Sequence, residues 1–406
     1  MKEIQITIVG KVFNANKNKV LILNRTLEEY FELVKWYLNF NIVSKTELHN
    51  KSYESAKKMF DLNTALIQTA RDKAIEIMKS FNELKRKTKI NKPKLKRIAI
   101  RFDERCYKFD KTNNVLTPYW LTLSIDKKRI SLPIVFGEKQ KQRIEEALKN
   151  EWKFATVEMV KRNKEWYAHF VLKKTISFIN KPETIVAIDI GEHNLATATK
   201  ILINNPSKPI KGKFWKGAEI KKTRGLYSHI RRNLMRKRLL KEVKRLGGKE
   251  RRKINQLLHI IANQIIDYAK QSSNPAIVME DITHIREKFN KSRKLNKRFH
   301  SLPFRKLQKY IKYKALLNGI QVYYLQKNLV KNSSKTCHRW GHVAQVKGRE
   351  INCPNCGLRY NRDLNACINI AHRLMRSMGW GSCEPPKPAN EELGVNPTLN
   401  AGSSRL

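Results

Sequence analysis

Acidic residues are the main shortage of this 406-residue chain: 35 Asp and Glu stand against 84 Lys and Arg, a formal charge of +49. With a sequence pI near 10.2, such an excess needs a polyanion to neutralise it, which points to nucleic acid. Long apolar runs are also missing. No stretch approaches the roughly 18 residues of a spanning helix, and Met1 to Gly10 alternates like a strand where a signal peptide would carry an apolar core. The expectation is a cytoplasmic protein without a membrane partner. Cysteine is sparse, and six residues do not build a disulfide scaffold. Cys337, Cys353 and Cys356 cluster as metal ligands do, whereas Cys106, Cys367 and Cys383 are isolated and read as plain thiols.

What is present is enough apolar residue, 41%, for real cores and two or three domains. Ile4, Ile6 and Ile8 share one face of a strand. Thr26 with Glu29 forms a capping-box pattern that predicts a helix start, followed by Leu27, Tyr30, Phe31, Val34 and Leu38 on one side. Helical periodicity runs to about Leu84, then a basic stretch with Pro93 gives way to short β-type runs. A helical insert within a small β unit is expected. From Pro182 the pattern becomes α/β, with buried strands at Thr184 to Ile190, Ala276 to Met279 and Ile320 to Leu325. A helix from Pro303 should stop at Gly319, and the tail after Gly379, rich in Pro, Gly, Ser and Asn, reads as poorly ordered.

Three carboxylates sit where chemistry needs them. Asp189 ends one apolar strand and Glu280 ends another, although Asp281 competes for that role. Asp363 opens a helix with the apolar face Leu364, Cys367, Ile368, Ala371, Leu374 and Met375. Singly these are capping or turn residues; together they suit two Mg²⁺ ions roughly 3.5–4 Å apart, as in two-metal phosphodiester cleavage.

The run Cys337, His338, Arg339, Trp340, Gly341, His342 followed by Cys353-Pro354-Asn355-Cys356 is a zinc-ribbon pattern with one knuckle intact. His342, beyond the turning Gly341, is the expected fourth Zn²⁺ ligand, ahead of His338, which should point away from Cys337. The alternative is a ribbon without metal in which Trp340 packs in its place. A helical hairpin from Leu226 to Lys270, with its bend at Gly247-Gly248, carries Arg231, Arg232, Arg236, Lys237, Lys241 and Lys244 for phosphate contact. The basic run Arg286 to Arg298 reads either as a strand-binding loop or as a linker.

These residues resemble the three RuvC motifs of the TnpB family, relatives of compact type V CRISPR effectors. The matching runs are Ile188-Asp189-Ile190-Gly191 with Leu195-Ala196-Thr197, Val278-Met279-Glu280-Asp281, and Asn361-Arg362-Asp363-Leu364-Asn365-Ala366 with Asn369-Ile370. The resemblance implies a β wedge domain (residues 1–25 and 93–181) carrying a helical recognition insert (26–92). It further implies an RNase H-like, RuvC-like α/β nuclease domain (182–330 and 361–379), interrupted by a zinc-ribbon module that binds the target nucleic acid (331–360), and a flexible tail (380–406). It implies an endonuclease that cleaves double-stranded DNA beside a target-adjacent motif, directed by a guide RNA from the transposon end. The catalytic acids would be Asp189, Glu280 and Asp363, and the expected state is a monomer with one RNA. Where the family has a second cysteine in its first zinc knuckle, this chain has Trp340. The rival readings are an RNA-guided repressor without cleavage, a DNA transposase, and a basic zinc-ribbon RNA-binding protein that would leave the three acids unexplained.

Overall fold

The alternating N-terminal residues form β1 (Lys2–Val12), with Ile4 and Ile8 buried. The computed structural model describes residues 2–86, 93, 95–125, 128–149, 151–178, 181–283, 292, 296 and 301–381. The basic run from Arg286 to Arg298 falls almost wholly outside them, as do Cys383 and the tail beyond residue 381. The chain divides into two compact units, with the boundary between Thr175 and Ile176.

In the first unit, β1 is followed by α1 (Lys17–Leu38), α2 (Lys45–Met59) and α3 (Thr64–Lys85). Then come β2 (Ile100–Phe102), β3 (Tyr107–Lys111), β4 (Tyr119–Ile125), β5 (Lys128–Val135), α4 (Glu138–Leu148), β6 (Lys153–Arg162) and β7 (Glu165–Ile176). All seven strands join one sheet in the order β2-β6-β7-β1-β5-β4-β3. The three helices thus fall, in sequence, between two strands of a single sheet. The predicted helix start at Thr26 is wrong. Helix α1 begins at Lys17, where the Asn16 side chain accepts from the Asn18 N–H at 3.0 Å. Thr26 is buried mid-helix and its hydroxyl donates to the Ile22 carbonyl at 2.8 Å, a local use that mimics a cap in sequence.

In the second unit a five-stranded sheet runs β10-β9-β8-β11-β12, built from β8 (Thr184–Asp189), β9 (Asn194–Leu202), β10 (Asn205–Lys216), β11 (Pro275–Glu280) and β12 (Gln321–Leu325). Strand β8 pairs antiparallel to β9 and parallel to β11. One face of the sheet, including Val186, Ile188, Ile277 and Met279, packs on helices that contribute Ile254, Leu258, Leu307 and Ile311. The other face, including Ile185, Ala187 and Val278, receives Cys367, Ile368, Ala371 and Met375 from the C-terminal helix Arg362–Ser377. Helices on both faces explain why β8 and β11 are apolar without alternation.

The helix Phe304–Leu317 ends as expected, with Gly319 in the left-handed region at φ 70°. The hairpin does not bend where predicted. Its arms are α5 (Ala218–Arg236) and α6 (Leu240–Lys270), and the break lies at Lys237 to Leu239, with Arg238 at φ 53°. Gly247 and Gly248 lie inside α6. A glycine pair is a turn signal, but the apolar stripe of Ile254, Leu257 and Leu258 that follows keeps the helix continuous.

Candidate active site and cysteine module

Parallel pairing of β8 with β11 reaches Ile188 opposite Met279, so the next residues, Asp189 and Glu280, sit side by side at the carboxyl ends of adjacent strands. Asp363 arrives from the third direction, in the first turn of the C-terminal helix. Asn361 takes the cap, accepting from the N–H groups of Asp363 at 3.0 Å and Leu364 at 3.2 Å. That leaves the Asp363 carboxylate to face the sheet, where it accepts from Asn194 Nδ2 at 2.7 Å and Arg349 Nη1 at 3.2 Å.

The electrostatics join the three acids. Burial, then the charges of Asp363 and Glu280, push the Asp189 carboxyl up to about 7, against the opposing pull of Arg362 and Arg349. Burial also raises Glu280, with Lys327 opposing. A buried acid raised by two neighbouring carboxylates is a site short of positive charge, and hard divalent cations relieve that shortage. The three sets of oxygens do not all lie within 4.8 Å of one another, unlike the thiols described below. Asp281 is a different case. Its Oδ1 accepts from the Thr283 N–H at 2.9 Å and hydroxyl at 2.5 Å, and its own N–H donates to Leu325, so it closes a turn. A cleft of about 630 Å³ beside Glu280 is lined by Lys327, Lys331, Ser334 and Lys335.

Sequence reasoning missed Asn194, Arg349 and Lys327. Asn194 was visible only as the residue preceding Leu195-Ala196-Thr197. Arg349 follows Gly348 (φ 61°) in the tight turn between β13 (Gln345–Lys347) and β14 (Glu350–Asn352), a position with no chemical signature of its own.

Strands β13, β14 and β15 (Arg359–Asn361) form a small sheet around a core of Cys337, Ala344, Ile351, Cys353 and Leu358. The sulfur atoms of Cys337, Cys353 and Cys356 all lie within 4.8 Å of one another. Both knuckles share one backbone frame. Cys337 N donates to the His342 carbonyl and Gly341 N to the Cys337 carbonyl, both at 2.8 Å. Cys353 N donates to Leu358 at 2.9 Å and Gly357 N to Cys353 at 3.0 Å. Gly341 and Gly357 have φ 75° and 68°. In this frame Trp340 occupies the position of Cys356. It is 52% exposed, so it does not pack in place of a metal. His338 is buried, with its Nδ1 2.9 Å from Asn365 Oδ1, and His342 is exposed and outside the thiol group.

A clamp ties this module to the C-terminal helix. Asn365 and Asn369, one turn apart, each donate through Nδ2 to the carbonyls of both Ser333 and Thr336. On the hairpin, Arg232, Arg236, Lys237, Lys241 and Lys244 are exposed. Arg231 instead pairs with the buried Glu250, which Arg224 also meets at 3.1 Å.

Among the described residues, no helix is long and apolar enough to cross a membrane. Two family models match: the Cas12f1-like TNB domain over residues 304–370, and the uncharacterized protein MJ0013 family over residues 16–117. The TnpB-like protein MJ0751 of Methanocaldococcus jannaschii is 30% identical over 273 residues, covering 65% of this chain and 93% of that protein. The CRISPR-associated endodeoxyribonuclease Cas12f1 of Sulfoacidibacillus thermotolerans is 24% identical over 367 residues, 82% of each chain. In three dimensions, Cas12f1 in a complex with sgRNA and target DNA aligns at a TM-score of 0.68 and 16% identity, covering 88% of this chain and 83% of that one. With a relative at 30% identity spanned almost end to end, the chain belongs to the TnpB family.

Proposed function

We propose that this protein is an RNA-guided DNA endonuclease with one RuvC-like active site formed by Asp189, Glu280 and Asp363. The observation that carries the reading is convergence: two strand ends and a helix start bring three acids close enough for Asp363 and Glu280 to raise Asp189. The sheet order, with a central strand antiparallel to one neighbour and parallel to the other, supports an RNase H-like core. The name of the Cas12f1 relative, an endodeoxyribonuclease, supports the reaction class.

Two Mg²⁺ ions would be held by the three carboxylates and would supply Lewis acidity and charge neutralisation at the scissile phosphate. The protein's own groups do the positioning. Asn194 fixes one oxygen of Asp363 and Arg349 the other, while Asn361 holds the first turn so that the carboxylate faces the sheet. Lys327, Lys331 and Lys335 line the cleft at Glu280 and would draw the phosphodiester backbone of a strand toward the acids.

The guide would be an RNA from the transposon end, and the target would be double-stranded DNA beside a short target-adjacent motif, each strand being cut in turn at the same site. A charge of +49 suits a protein that holds a heteroduplex by its backbone while base pairing reads the sequence. The first unit would serve as wedge and recognition domain. The three-thiol module would hold a structural Zn²⁺ with His342 or another group as fourth ligand, and the functional unit would be one chain with one RNA.

The test is cleavage of matched duplex DNA by the purified complex in Mg²⁺, before and after RNase, beside Asp189→Ala and Glu280→Ala. Loss of cutting in all three, with DNA binding retained by the two variants, is expected. RNase-resistant action on DNA ends would favour a transposase, and undiminished cutting by either variant would overturn the site.

A further inference from the structure

In the half of α6 nearer the bend lies a second cavity of about 260 Å³, whose lining includes Arg224, Gly247, Glu250, Arg251, Asn255 and Lys306. Three cations face one carboxylate there. The carboxylate is already committed, since Glu250 accepts from Arg224 at one oxygen and from Arg231 at the other. Arg224 keeps its Nε buried and without a partner. Arg251 is exposed, and neither it nor Asn255 has a side-chain partner among the described residues. Lys306 lies over the Tyr310 ring at 5.9 Å, which leaves its N–H donors free of any acceptor among the described residues. The cavity therefore holds donors and positive charge in excess of what the protein itself uses.

The glycine pair is the second, independent observation. Each glycine inside a helix costs about 0.8–1.0 kcal/mol against alanine. Neither Gly247 nor Gly248 adopts a positive φ, so backbone geometry does not require them. Packing does not require Gly247 either: a Cβ built on it meets nothing within 4 Å. Of the pair, Gly247 borders the cationic cavity, and a helix position without a side chain there is what close approach by a ligand needs.

We propose that this cavity is an anion site that takes one phosphodiester group of a nucleic-acid backbone, with Arg251, Asn255 and Lys306 as donors and Gly247 as the clearance. Its volume is below the roughly 300 Å³ at which small-molecule sites begin, which suits a single phosphate better than a whole nucleotide. The proposal rests on the reading that the chain binds nucleic acid and adds a defined contact to it. Guide RNA and target DNA offer the same phosphodiester, and the experiment separates them.

Gly247→Leu fills the clearance with a good helix former, and Arg251→Gln removes one exposed charge. Full-length wild type and both variants are compared for binding of the copurifying RNA by the RNA-free chain, and of matched duplex DNA by the RNA-loaded complex, each as a function of salt. Gly247→Leu is expected to melt at or above the wild-type temperature yet bind several-fold more weakly. For whichever nucleic acid fills the site, each variant should lower the log–log salt slope by about 0.7 for single-stranded RNA or about 0.9 for duplex DNA. Higher stability with weaker binding is a pairing that a purely structural role does not produce. Wild-type slopes for both variants with both nucleic acids overturn the site. If the wild type binds no RNA, the functional reading itself fails. In that case inorganic phosphate at constant ionic strength decides the cavity alone: a thermal shift larger in wild type than in Gly247→Leu supports it, and equal shifts overturn it.

Discussion

Arg349 reaches from the turn of the cysteine module to Asp363 Oδ1, 3.2 Å away, so a carboxylate of the proposed nuclease centre is held by a cation from a different subdomain. Arg349 is about half exposed and its side chain makes no other hydrogen bond or ion pair among the described residues, so Asp363 is its one acceptor there. Replacing it with Ala should lower the rate of DNA cleavage on the order of 10²-fold, the scale of removing one positioned donor. Binding of the matched duplex should change little. A variant that cuts at the wild-type rate would make the interaction incidental.

Asp189 gives a pH dependence whose sign follows from its environment. Its folded carboxyl titrates near 7 and its unfolded one near the ordinary 3.8, so between these values the folded chain holds the extra proton. Stability of the metal-free protein should therefore fall as pH rises from about 4 to 7 and level off above. Asp189→Asn removes that cost, and in EDTA at pH 8 it should melt several degrees above wild type while cutting nothing when Mg²⁺ is restored. Equal melting temperatures in EDTA at pH 8 would show that neither burial nor the neighbouring carboxylates penalise the Asp189 charge.

The shared backbone frame of the two knuckles makes Trp340→Cys an instructive gain. With Trp340 in the position of Cys356 and already exposed, a thiol there should complete a four-cysteine site without rearranging the core. Zinc affinity should rise at least about tenfold, measured by competition with a chelator. In the wild-type frame, His342→Ala should lower zinc content if that imidazole turns in to serve as ligand, and Cys356→Ala should abolish binding. Full zinc in His342→Ala assigns the fourth position to another group.

Charge on the hairpin divides into two kinds. Arg232→Ala, Arg236→Ala and Lys241→Ala together should flatten the salt dependence of duplex binding by about 0.9 for each phosphate that is no longer neutralised, while stability stays unchanged. Arg231→Ala should instead destabilise the hairpin by about 1–3 kcal/mol, because it strips a partner from the buried Glu250. The two effects separate in a melting curve beside a salt titration.

These contrasts mark what could be read from residue order. Strands β8 and β11 were legible because both faces are buried and Ile185 to Ile188 and Ala276 to Met279 are apolar throughout. Strand β9 was not, since Thr197, Thr199 and Lys200 are buried polar residues whose partners lie elsewhere in the chain: the Thr199 hydroxyl donates to Ile210 across the sheet. Thr26 failed as a cap and Gly247-Gly248 as a bend for the same reason, that a local signal was overruled by an apolar stripe packing on a distant element. The three acids were legible as strand ends and a helix start. The competition between Glu280 and Asp281 was not, because only the turn that ties Asp281 to Thr283 sets them apart.

The Asn365 and Asn369 clamp ties sulfur chemistry to the proposed nuclease centre. The sulfur atoms of Cys337 and Cys356 stand 3.6 Å apart, close enough for an oxidant to join them as a disulfide, which would remove both thiolates from any metal held there. The segment bearing Cys337 is fastened by four side-chain bonds to the helix that carries Asp363, so disorder at the sulfurs should propagate to the carboxylate. If the thiols hold zinc, peroxide should release it and lower the proposed cutting along one time course, and thiol reductant with added zinc should restore both, which would make the proposed activity sensitive to oxidation.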